Sequence, residues 1–156
     1  MKIREDFVTN SSSSSFILAF TDKKNIAQEL ATNWPQAYPV ELGEVFRDVL
    51  DAEPLTETEI IEMIKDSCEW EVKYSLESEY ERLHDCSYRE AREYFESPEG
   101  QDLIKKEVNK IIKKVKQRLK DKNYMVEVEY SDHENYELEH IIMPKVKSTV
   151  YTINCH

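Results

Sequence analysis

The feature that most constrains this chain is a change of apolar period near residue 122. From Ser97-Pro98 onward, Leu103, Ile104, Val108, Ile111, Ile112, Val115 and Leu119 mark one side of a helix. Proline suits the first helical position, where its missing N–H has no intrahelical partner to lose. Directly afterwards, Tyr124, Val126, Val128 and Tyr130 alternate with Met125, Glu127, Glu129 and Ser131, the period of a half-exposed strand. The chain therefore combines long helices with sheet.

The rest of the sequence fills in that frame. Phe16-Ile17-Leu18-Ala19-Phe20 is short, aromatic-rich and bounded by polar residues, and reads as a buried strand. Thr21 or Asp22 caps a helix through Ile26, Ala27, Leu30, Ala31 and Trp34 that Pro35 stops, and a second helix is expected over Glu41–Ala52. Thr56 with Glu59, Ser78 with Glu81 and Ser87 with Glu90 each match a capping box, which predicts separate helices with a break near His84–Cys86. The closing Ser148–Asn154 reads as a last strand. The expectation is an α+β fold in a single domain over residues 1–156. A small sheet from the N-terminal and C-terminal strands packs on one face against about four to five helices.

Only two glycines in 156 residues favour helices over a turn-rich sandwich. Net charge −11 argues against direct nucleic-acid binding, which needs a basic footprint. The charge is uneven: Glu41–Asp102 holds 20 acidic against 6 basic residues, and Lys105–Lys122 holds 9 basic against 2 acidic. Solvated helix faces, able to pair with one another, are the plain expectation. Cys68, Cys86 and Cys155 are odd in number and lack a CxxC spacing, which predicts free thiols in a reducing compartment. With no signal-like or membrane-spanning run, a cytoplasmic location follows as an expectation.

Chemistry has two candidate places. The first is the serine tract, Ser11, Ser12, Ser13, Ser14 and Ser15, held between Phe7-Val8 and the first strand. Hydroxyls there would line an ordered loop able to meet an anion, or supply a nucleophile if a histidine and a carboxylate stood behind one of them. No GKS or GKT accompanies them, so a nucleotide loop is not indicated. The second is "DHENYELEH", where Asp132, His133, Glu139 and His140, with His156, offer imidazole and carboxylate donors for a divalent metal ion. His140 and His156 are also candidate bases for a serine. The spacing matches no established motif, and a solvated acidic stretch is the alternative. Beside His84, Cys86 is expected to be structural, and Cys68 to lie in the core.

Phe7, Val8, Asn10, Ser11–Ser15 and Phe16 give the start of the chain the form "FV-(S/T)-NSSSSSF". In this it resembles a scattered group of bacterial and phage-encoded proteins without an assigned activity. Asp132, Glu134, Leu138, Glu139, His140 and His156 are similar to the acidic, histidine-ended close of several members. The resemblance implies a bacterial or phage accessory protein. Together with the acidity, it predicts action by binding a host or phage protein, itself basic or nucleic-acid-binding, with no cofactor. The alternative is a small enzyme or metal-binding protein that joins the serine tract to the C-terminal donors. The observation that separates them is whether the serine tract and the C-terminal histidines lie within about 5 Å, close enough for direct or water-bridged contact.

Overall fold

The computed structural model describes residues 13–155. Ser11, Ser12 and His156 lie outside the described residues, as do Phe7 and Val8. The fold is α+β: the described residues form a three-stranded antiparallel sheet in the order β2-β1-β3, accompanied by six α-helices. By contact the chain divides into two compact units, one of residues 1–60 and 119–156, the other of residues 61–118.

In the first unit the central strand β1 spans Ser13–Phe20. It pairs with β2 (Tyr124–Ser131) from Ser13↔Ser131 to Phe20↔Tyr124, and with β3 (Thr149–Cys155) from Ser13↔Cys155 to Leu18↔Thr149. The second register skips Val150, a bulge opposite Ile17/Leu18. Three of the serines thus belong to a strand rather than a loop, and Ser14 and Ser15 are buried. Phe16, Leu18 and Phe20 share one face with Val126, Val128 and Tyr130. Helices α1 (Ile26–Ala31) and α2 (Pro39–Asp51) lay Ile26, Leu30, Val45 and Val49 on this core. On the opposite face Ile17 and Ala19 are buried too.

Asp22 does cap, accepting from the Lys24 N–H, but for a 3-10 turn at Lys23–Asn25 that precedes α1. α1 ends at Ala31, before Pro35. Asn33 takes the left-handed conformation (φ 63), which asparagine tolerates, and closes the helix early. Trp34 therefore leaves the helical stripe, donates Nε1–H to the Tyr38 carbonyl at 2.8 Å and packs on the core from outside. Beyond α2, the Leu55 N–H donates to the Met125 carbonyl at 2.8 Å, so part of the β2 edge is covered.

The second unit is helical. Thr56 and Glu59 form their capping box and open α3, Glu57–His84. It runs 28 residues without a break, through Ser78 and Glu81, so the second expected start is absent. Ile60, Ile64 and Cys68 form its buried stripe. The break falls at Asp85 (φ 48), after which Ser87 and Glu90 cap α4, Tyr88–Glu96. Tyr80 of α3 stacks on Tyr94 of α4 at 4.6 Å and meets Phe95 edge-on. α5 spans Pro98–Leu119 and buries Ile104, Val108, Ile112, Val115 and Leu119 of the expected stripe, whereas Leu103 is exposed and Ile111 half-buried. Among the described residues, no helix is long and apolar enough to cross a membrane.

Candidate metal centre

The register brings three chain positions to one end of the sheet: the start of β1, the end of β2 and the end of β3 meet at Ser13, Ser131 and Cys155. Where β2 ends, Ser131 accepts from the Glu134 N–H at 3.3 Å and caps a short helix, α6 (Asp132–Glu137), kinked at Asn135. It passes into a wide turn of π type, Leu138–Ile142. The turn is held by burial: Leu138 and Ile142 join the apolar core over β1. With both ends fixed, Glu139 is carried inward and is only 3% exposed. The stretch whose alternative is a solvated acidic segment is thus helical, with Leu138 and Glu139 buried and most of the rest exposed.

Ser14 answers it. Residues 14, 16, 18 and 20 share one face of β1, so Ser14 continues the Phe16-Leu18-Phe20 stripe. Its Oγ lies 2.9 Å from Glu139 Oε2 and 3.0 Å from Asn154 Oδ1. The hydroxyl has one proton, and donating it to the buried carboxylate offsets the cost of leaving Glu139 dry. The other carboxylate oxygen, Oε1, is 3.0 Å from His140 Nε2. His140 is partly exposed and its ring leans on Tyr136 at 4.6 Å. Asp132 completes the group: one donor atom each from Asp132, Glu139 and His140 lie within 4.8 Å of one another.

Of the sequence candidates, the fold brings together Asp132, Glu139, His140 and Ser14. His133, adjacent to Asp132, is exposed and does not belong to the cluster. Ser13 is half-buried at the strand start, and Ser15 is buried beside Ser14. Ser14 is 95% buried and turned toward a carboxylate rather than an imidazole, which makes it a poor nucleophile and a good orienting group. Asn154 carries no signal of its own in the sequence. What marks it is the pairing of the last strand with the serines, which only the register reveals.

Among the described side chains, neither Cys68 nor Cys86 belongs to the cluster. Cys68 is buried, and burial pushes its pKa up, as it does for Cys86, where Glu90, Glu81 and Asp85 add to the effect. A raised thiol is a weak nucleophile at neutral pH. The chain matches no protein-family model, no curated protein and no solved structure.

Proposed function

We propose that the protein binds a divalent cation through Asp132, Glu139 and His140, with Ser14 as the residue that positions Glu139. The observation that carries this is the convergence of two carboxylates and an imidazole within 4.8 Å, one carboxylate being buried and aimed by a strand hydroxyl 125 positions away. Bonds of about 2.1 Å place neighbouring ligands roughly 3 Å apart in an octahedral sphere. The 3.0 Å between Glu139 and His140 fits that spacing. Mixed carboxylate and imidazole donors suit Mn²⁺, Zn²⁺ or Fe²⁺. Three protein ligands leave positions for water or a substrate oxygen, and there the ion would act as a Lewis acid.

Thermal melts of the full chain with Zn²⁺, Mn²⁺ and Mg²⁺ test this. Stabilisation of about 2.7 kcal/mol is expected at a hundredfold excess over Kd. The shift should vanish in His140→Ala, and Ser14→Ala should weaken affinity about 10–100-fold, as for other orienting partners. Melts that stay in place, or move equally in His140→Ala, would overturn it.

A second reading rests on a different place. Glu44, Asp48 and Asp51 of α2 face Glu127 and Glu129 of β2 across an open groove of about 340 Å³. Tyr130 donates to Asp48 at 2.8 Å and Asn135 to Glu44 at 3.1 Å, which fixes two of the five carboxylates. Such a groove favours the accessory-protein role, with a basic host or phage protein as partner. Reversal of Asp51, Glu127 and Glu129 to lysine should slow association with that partner much more than dissociation.

A further inference from the structure

We propose that the helical unit, residues 61–118, binds a second copy of this chain, the aromatic-acidic face of α3 docking on the lysine row of α5. On α3, Trp70 and Tyr74 lie one turn apart and remain 68% and 54% exposed. Their rings stack on each other at 5.5 Å and 13°. An exposed, pre-stacked tryptophan–tyrosine pair presents apolar area with little side-chain freedom left to lose, the quality of an interface anchor. Asp66, one turn earlier, and Glu62 and Glu69 alongside are exposed carboxylates, with Lys73 interspersed.

The same unit carries the complement. Lys105, Lys106, Lys110, Lys113, Lys114 and Lys116 are all exposed on α5. Among the described residues only Lys110 of this row forms a salt bridge, to Glu107 at 2.8 Å. The row is therefore not neutralised by the acidic helix of its own unit, although the chain as a whole carries −11. A shallow depression of about 450 Å³ runs between Asp102, Lys105, Lys106, Asn109, Lys110 and Lys113. An ammonium group seated over an indole face and flanked by carboxylates gains cation–π and Coulomb attraction together. Because each copy has one of each face, a two-fold arrangement makes the contact twice and closes on itself. Charge complementarity thus selects a second copy over a basic protein, which would leave the lysine row unmatched.

Sedimentation of the full chain over a range of concentrations and salt decides the matter. A monomer–dimer equilibrium that weakens with added salt is expected, since exposed pairs are screened over about 8 Å at physiological ionic strength. Trp70→Ala should raise the dimer dissociation constant about thirtyfold, the loss typical of a central anchor. The triple change Lys106→Glu, Lys110→Glu, Lys113→Glu should abolish the dimer, and adding Glu62→Lys, Asp66→Lys, Glu69→Lys should restore it. All these positions are exposed, and an unchanged thermal melt verifies the fold of each variant. A monomer throughout at low salt overturns the proposal, as does a dimer indifferent to both Trp70→Ala and the charge reversals. A monomer whose lysine row captures nucleic acid overturns it too.

Discussion

Ser14 shows how a residue can be legible in type and illegible in role. A serine tract between apolar segments predicts order, and Ser13–Ser15 are ordered, but as strand. Their purpose depends on Glu139, which no local pattern places opposite them. Asp132, Glu139 and His140 were readable as donor types, whereas the exclusion of His133 follows only from the turn at the end of β2. Glu77 is a sharper case: on α3 it is 3% exposed and its Oε2 has no hydrogen-bond partner among the described residues. A buried carboxylate oxygen left unmatched is costly, so Glu77→Met, similar in length and apolar, should raise stability by about 1–3 kcal/mol in chemical denaturation. Unchanged or reduced stability would mean that the carboxylate is better served than its surroundings indicate. Tyr130 makes a pH prediction. Burial, then its hydrogen bond to Asp48, raises its phenol well above the ordinary 10.0. The folded state thus holds the proton that the unfolded chain releases, and the resulting stability is full below pH 10 and falls as pH rises beyond it. The stability gap between the parent and Tyr130→Phe should therefore shrink on going from neutral to strongly alkaline pH. A gap that widens would contradict the sign.

Elements with long, regular periods were the most legible. α5 and β2 lie where their apolar spacing puts them, because each buries one face against a core and period alone identifies that face. Along α5, Ile112 is buried and Ile111 only half so. Ile112→Ala should cost about 2–5 kcal/mol through lost transfer energy and a cavity, and Ile111→Ala distinctly less. Equal costs would mean the helix is rotated from the position described. Capping boxes were a weaker guide. Ser78 and Glu81 carry the residue types of a helix start, but the segment before them has no glycine, proline or left-handed residue to stop α3. Side-chain caps mark starts only where the backbone has already been interrupted, as it is at Asp85. Gly100 marks a different limit: a Cβ there would lie 2.3 Å from the Tyr94 carbonyl oxygen, so α4 and α5 join at a contact only glycine allows. Gly100→Ala should destabilise by more than the 1–3 kcal/mol usual for overpacking, because the obstacle is backbone and cannot turn aside. A melt unchanged by this substitution would show that the joint can open freely.

At the scale of the molecule, the α+β class and the origin of the sheet strands from both ends of the sequence could be read beforehand. The contact division into two units could not, since apolar stripes show that a helix is covered and not by what. The same holds for charge. An acidic middle and a basic helix are plain in the sequence, but the absence of ion pairing along most of the lysine row, among the described residues, emerges only from the fold.

The central position of β1 also has a consequence for how the protein is made. Phe20 pairs with Tyr124 and Ser13 with Cys155, so the most buried strand is the one synthesised long before its partners. At ordinary elongation rates that interval is on the order of ten seconds. For that time Phe16–Phe20 is an apolar strand with two open edges, while the helices between fold from local contacts. Nascent chains arrested before Tyr124 should therefore hold chaperones that bind apolar segments and be cleaved readily within the first strand. Chains extended far enough to pair β3 should do neither, which makes the arrival of the last strand the step that commits this fold.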